Sequence, residues 1–393
     1  METAAFRNAA SIAPRIAPRI AIVMPHGGRM EARRLNSMET VAVTLNRYSA
    51  FKASTVFICE DGAESAAEPD ATLRVPAGLS KKAHAAAVLK VLQAYRPDIV
   101  EFHQLLCTSA ALAKRLPGAR SLFFRHTRLN RPRNPLRRLK HWRRLRAFDH
   151  VVLVSQTAKD EFLADYPDFN RRAVVVSNPI DLAPWRGNAY HKERLILFSG
   201  RALPEKGLDA FCEALAVVLD RAPEWRAALA LGEWERSADW AETCIRPLER
   251  FGDRVEIHRS APLAAVQAMN RRAAIAVTPS RVREAMGLTA MEALAGGAAL
   301  ISSGRGGLRE ASGEHALYVD PPEAPSLIEA MLVLIGDDAA REAMARQGQD
   351  YVSQAHDPVV RAGELDQLRR NLLVGARRPA AARITPAIAM AHG

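Results

Sequence analysis

Cysteine is scarce and scattered: Cys59, Cys107, Cys212 and Cys244 form no C-x-x-C pair, and no histidine cluster lies near them. That spacing argues against a disulfide framework and against a structural zinc site. No stretch reaches the ~18–20 uninterrupted apolar residues that a membrane-spanning helix needs. No secretory signal is expected either, because Arg7, Arg15 and Arg19 break up any apolar core near the start. The compartment expected from these absences is the cytoplasm. Carboxylates are in deficit, 43 Asp and Glu against 55 Lys and Arg, for a net charge of +12. Such an excess suits a polyanionic partner: phosphate, nucleic acid or an anionic membrane face. The deficit is concentrated between residues 125 and 146, which hold nine Arg, one Lys and no Asp or Glu. Trp142 is the one Phe, Tyr or Trp there. Nucleic acid is therefore a weak reading, for want of rings to stack on bases.

What is present reads as a globular α/β chain. Its 393 residues are too many for one ordinary domain and suit two. Residues 1–18 lead into Arg19 through the repeat Ile12-Ala13-Pro14-Arg15, Ile16-Ala17-Pro18-Arg19, and residues 377–393 are rich in Ala, Arg and Pro. Neither end can bury enough apolar surface to offset its ordering entropy, so both are expected to be disordered tails.

Between them, short β-branched runs alternate with helical patterns. Strands are expected at 20–24, 55–59, 98–102, 121–125, 150–154 and 173–177, with helices at 36–50, 81–95 and 157–166. The strand runs are continuously apolar, as parallel strands buried on both faces must be. Pro179, Pro184 and Gly187 interrupt the pattern. It restarts with strands at 194–199, 226–231, 254–258, 274–278 and 298–302, and helices at 207–221, 239–251, 263–271, 287–295, 325–335, 339–353 and 360–373. The expected division is a Rossmann-like domain over 19–180, a hinge at 181–190, a second Rossmann-like domain over 191–358, and a helix over 359–376 returning to the first.

Two motifs carry the chemistry. Glu284-Ala-Met-Gly287-Leu-Thr-Ala-Met-Glu292 follows a strand and loop and opens a helix near Gly287. A helix start offers unpaired N–H groups and a positive dipole end, which fit a diphosphate. Glycine there lets the ligand reach the backbone. Glu284 and Glu292 flank that place and could accept from sugar and ribose hydroxyls; the plainer reading is two solvated acids. Gly200-Arg201…Lys206-Gly207 follows the first strand of the second half. Two cations at a strand's carboxyl end would neutralise a diphosphate and a departing nucleotide. On its own such a turn is a solvated βα loop.

Together these motifs resemble the donor site of glycosyltransferase family 4, whose members have the GT-B fold: two Rossmann-like, doubly wound domains facing across a cleft. The resemblance runs from Ile20 to about Tyr351. It includes Pro25-His-Gly27-Gly28, Arg96-Pro-Asp98, Val154-Ser155, Ser177-Asn178-Pro179 and Gly304-Arg-Gly306-Gly307-Leu-Arg-Glu310. It implies that Arg201 and Lys206 contact the donor diphosphate, Glu292 the ribose and Glu284 the donor sugar. The backbone of Met286, Gly287, Leu288 and Thr289 would lie around phosphates and sugar, with Gly27 and Gly28 letting the first-domain loop approach.

His126, in Phe124-Arg125-His126-Thr127, matches the family's active-site histidine; His26 and His103 compete for that place. The acidic residue behind the glycine pair, Glu31, is offset by one from the family pattern. Members retain anomeric configuration and are generally metal-independent. The resemblance thus implies no metal and no cofactor, the nucleotide-diphosphate sugar being a substrate.

The expected function is retaining transfer of a sugar to a hydroxyl of a glycan or glycolipid, in bacterial envelope polysaccharide or lipopolysaccharide synthesis. The rivals are a GT-B nucleotide-sugar epimerase or phosphorylase and a non-catalytic scaffold with a basic face. Leu136, Leu139, Trp142 and Leu145 recur at three-residue spacing among Arg137, Arg138, Lys140, Arg143, Arg144 and Arg146. Residues 128–147 therefore have the pattern of a helix lying on an anionic membrane surface or against a phosphorylated acceptor, at the inner face of the plasma membrane. The plainer reading is a sheet-packed helix with solvated arginines.

Overall fold

The structure, a computed structural model, describes residues 17–30, 36–62, 71–129 and 131–374. The two expected tails lie outside these apart from residues 17 and 18. Thirteen strands among the described residues form two wholly parallel sheets. The first comprises β1 (Ile20–Val23), β2 (Thr55–Glu60), β3 (Thr72–Val75), β4 (Ile99–His103), β5 (Arg120–Arg125), β6 (His150–Leu153) and β7 (Ala173–Val175). The second comprises β8 (Glu193–Arg201), β9 (Arg226–Gly232), β10 (Val255–Arg259), β11 (Ala273–Thr278), β12 (Ala299–Ser302) and β13 (Ala316–Tyr318). Their orders are β3-β2-β1-β4-β5-β6-β7 and β10-β9-β8-β11-β12-β13. Each runs outward one way, then reverses, which is the doubly wound arrangement.

The continuous apolar runs explain the layering. Alternate residues of one strand feed different cores: Phe123 joins Val88, Leu92 and Phe148 on one face of the first sheet. Its neighbours Leu122 and Phe124 join Val41, Leu45 and Leu365 on the other. In β8, Ile196 and Phe198 face one core while Leu195 and Leu197 face a second. A strand buried on both faces has no room for an in/out polar alternation.

Several elements escape the sequence pattern. β3 and β13, of four and three residues, were not expected. Helix Leu106–Ala113 starts behind Leu105, a left-handed residue without side-chain capping. The helix expected over 239–251 ends at Ile245 and continues as a 3-10 turn over Arg246–Arg254. Pro247 lacks the N–H that the α-helix needs there. The last helix, Pro358–Val374, packs on the first domain. Its Arg369 is fully buried and forks onto Glu101 of β4 at 2.7 and 2.9 Å. Asp366 accepts from Ser49 Oγ at 2.6 Å and Ala50 N at 2.7 Å.

Candidate active site in the cleft

Open parallel sheets bind ligands beyond the carboxyl ends of their strands, where the order reverses. In the second sheet that point lies between β8 and β11. Gly200 and Arg201 close β8, and Thr278, Pro279 and Ser280 leave β11. The two loops are tied together. Arg281 N donates to Glu205 O at 2.9 Å, and the Arg281 guanidinium donates to Asp209 at 2.7 and 2.8 Å. Gly207 has φ +73°, and a Cβ there would fall 2.2 Å from Pro279 O. Only glycine allows both that backbone and that approach.

The joined loops set a charged pair. Lys206 Nζ donates to Glu284 Oε1, and Ser280 Oγ donates to the same oxygen at 2.6 Å. Arg201 stands further out, 3.9 Å from Glu205 and 3.8 Å from Glu233. Glu284 is anchored from behind: its N–H donates to Arg305 O at 3.2 Å and its carbonyl accepts from Gly307 N at 2.7 Å. Helix Leu288–Gly296 then begins with Gly287 as an N-cap that supplies no side-chain hydrogen bond.

A cavity of about 330 Å³ opens above these groups. Arg201, Lys206, Glu284, Met286, Gly287, Leu288 and Thr289 line it from the second domain, and His126 from the first. Glu292, on the next turn, is not on its wall. Glu292 keeps a partial opening to solvent, yet the surrounding protein raises its carboxyl to about 7 by desolvation.

Gly27 and Gly28 are also off the wall. Gly27, with φ +88°, donates its N–H to Glu60 Oε1 at 2.8 Å, and residues 31–35 beyond that loop are outside the described structure. Of the competing histidines, His26 engages Leu79 O at 2.8 Å, whereas His103 lies directly behind His126, 2.9 Å from ring nitrogen to ring nitrogen. Burial lowers the His126 pKa to about 3, with Arg125 adding to it. Burial takes that of His103 well below its ordinary value, with His126 and Arg369 adding to it.

The cavity also has walls that sequence reasoning did not single out. They include Ser280, Gln104 and the start of helix Ser37–Arg47, while Asn178, part of the Ser177-Asn178-Pro179 match, lines it as well. At that start Asn36 accepts from Met38 N and Glu39 N while Glu39 accepts from Asn36 N, a full capping box. The Asn36-x-x-Glu39 spacing was a legible helix-start signal. Nothing local marks Ser280, and His103 is marked only as a competitor of His126. A wider, more open depression of about 470 Å³ lies near the domain junction. Two of its arginines are already engaged, Arg283 by Glu161 and Arg305 by Asp320, and it contains neither of the two motifs, which both reach the cleft.

Two doubly wound sheets with a shared cleft of mixed charge define the GT-B architecture. The description "Glycosyltransferase Family 4" matches residues 39–184, and "Glycosyl transferases group 1" matches 180–351. Sucrose-phosphate synthase from Thermosynechococcus elongatus superposes with a TM-score of 0.75 at 19% identity, over 91% of this chain and 100% of that one. The Anabaena protein HepE, solved with UDP and glucose, gives 0.71 at 15% identity, over 90% and 100%. D-inositol 3-phosphate glycosyltransferase of Corynebacterium glutamicum (strain R) is 28% identical over 243 residues, 57% of each chain. The match thus spans little more than half of that curated relative. The chain belongs to the GT-B glycosyltransferases of family 4.

Proposed function

We propose that this protein transfers a sugar, with retention of configuration, from a nucleoside-diphosphate sugar to a hydroxyl of an acceptor, without a metal or cofactor. The carrying observation is the convergence in one cavity of Lys206 paired to Glu284, Arg201, the Gly287 helix start and, across the cleft, His126. HepE, with the same fold, was solved with UDP-glucose, which supports a nucleotide-sugar donor here.

In the cleft Lys206 and Glu284 satisfy each other. A diphosphate would draw Lys206 onto its oxygens, with Arg201 beside it and the N–H groups around Met286–Thr289 completing the shell. Glu284, held by Ser280, would then be free to accept from sugar hydroxyls. Glu292 would accept from the ribose, and Gly27 and Gly28 would admit the first-domain loop to the phosphates. The acceptor oxygen attacks the anomeric carbon from the face the nucleotide leaves. The carbon–phosphate-oxygen bond breaks, the new carbon–oxygen bond forms, and the acceptor proton passes to the departing phosphate. The protein's part is positioning and charge stabilisation.

The finer reading is a bacterial envelope glycan or glycolipid acceptor, reached by docking on anionic lipid at the inner face of the plasma membrane. Helix Pro135–Leu145 supports it, with Leu136 70% and Leu139 44% exposed among arginines and lysine without a carboxylate. Its other half turns inward: Leu145 is buried and Trp142 packs on the core. The apolar stripe is therefore split, half anchor and half free surface. The relatives' names favour a second acceptor reading, a sugar or polyol phosphate, which the same cations would attract.

Incubation with UDP-, GDP- and ADP-sugars, with lipid-linked and then sugar-phosphate acceptors, tests the function. Release of one nucleotide only when an acceptor is present is the expected result. Donor conversion without acceptor would establish the epimerase reading instead, and no turnover or nucleotide binding would favour the scaffold.

A further inference from the structure

His103 closes β4, and His126 follows β5, the adjacent parallel strand. His103 is in register with Phe124. Side chains alternate along a strand, so residue 126 returns to the side of Phe124. The histidine rings meet there with centroids 5.0 Å apart and His103 Nδ1 2.9 Å from His126 Nε2. His103 is also stacked on Phe124, at 4.6 Å with 4° between planes, which fixes its ring.

One proton occupies the contact between two neutral rings, and it has two possible owners. If His126 Nε2 carried it, His103 would hold its own proton on Nε2. That atom is buried with no partner among the described residues. The cavity beside it, a space of about 20 Å³, is lined by apolar side chains such as Val88 and Phe102 and also by His84, Thr108 and Ser109, none of which bonds Nε2. Orphaned buried N–H groups are rarer than under-satisfied acceptors. With the proton on His103 Nδ1 instead, Nε2 keeps a lone pair, and His126 must carry its own proton on Nδ1. That is the nitrogen His103 leaves free in the wall of the cleft.

We propose that His103 is a positioning residue that fixes His126 as its Nδ1–H tautomer, so that His126 presents the cleft with a hydrogen-bond donor and not a base. The donor suits an oxygen of the transferred sugar and leaves the acceptor proton to the departing phosphate. Desolvation keeps both rings neutral, with Arg125 acting on His126 and Arg369 on His103 in the same direction. The inference rests on the reading of His126 as the first-domain residue facing the donor sugar.

The test is the nitrogen-15 histidine spectrum of the full chain, read together with transfer kinetics. The expected wild-type signature is a protonated Nδ1 and bare Nε2 on His126. His103→Phe keeps the stacked ring and removes the donor; His126 should then change tautomer or begin to titrate. The turnover number should fall about tenfold or more, with KM for the donor little changed. His103→Gln, which restores an N–H, should recover part of both. A wild-type His126 protonated on Nε2, or a His126 signature unmoved by His103→Phe, overturns the proposal. Full activity in His126→Ala would instead remove the reading on which the catalytic part rests, while the tautomer assignment is judged by the spectra alone.

Discussion

Glu292 shows how a single residue couples the site to pH. Its carboxyl is raised to about 7 by desolvation, from an ordinary value of 4.5. Between those values the folded chain holds a proton that the unfolded chain has lost. This group's stabilising contribution is therefore complete below 4.5, declines through the window and is gone above about 7. Ribose hydroxyls donating to Glu292 need the ionised form, so nucleotide binding should release a proton and tighten with rising pH. Calorimetric titration should give a dissociation constant about tenfold lower near pH 8 than near pH 5.5, and Glu292→Gln should flatten the difference. Equal affinity at both pH values in the wild type would place Glu292 outside the ligand's reach.

The same scale shows what the sequence could not reveal. Arg201, Lys206 and Glu284 were legible because a strand end and a helix start confine them locally. His103, named only as a rival of His126, meets it through tertiary folding, on the next strand and 23 residues away, whereas Ser280 reaches Glu284 within one loop, four residues on, with no local pattern to mark it.

Among the elements, helix Pro135–Leu145 carries the clearest surface prediction. Its inner end is anchored by Leu145 and Trp142, so Leu136 and Leu139 are held outward between cations. Vesicles containing acidic phospholipid should float the protein at low salt. Replacing Leu136 and Leu139 with Ser should weaken that, and neutral vesicles should not bind. Equal binding to neutral and acidic vesicles would leave the arginines as solvated charges. Amphipathic spacing showed this helix in the sequence, but spacing alone could not say that its stripe divides between core and solvent. The long buried strands were legible for a simple reason, that continuous apolar runs suit few other places. β3 and β13 were not: Arg74 interrupts the apolar run of the first, and Ala316–Tyr318 is three residues long.

At the scale of the molecule, the two sheets are fastened next to the chemistry. Ser155 Oγ donates to Ala285 O at 2.6 Å, and Arg283 pairs with Glu161. These anchors flank Glu284 on both sides. Glu310 of the second domain accepts from Gln156 N at 2.9 Å and Thr157 N at 3.1 Å, capping a helix of the first. The helix Pro358–Val374 completes the strap through Arg369 and Glu101. The segment that bears Glu284 is thus part of the domain junction, and the cleft is shaped by both halves together.

The central claim is that this cleft binds a nucleoside diphosphate through Lys206. Its most direct test is thermal unfolding of the wild type and Lys206→Ala in the presence of UDP, GDP and ADP. A ligand that binds only the folded state raises the unfolding temperature by mass action. The account predicts a rise with one of the three nucleotides, lost or greatly reduced in Lys206→Ala. No rise with any of them, or an equal rise in both proteins, would contradict it.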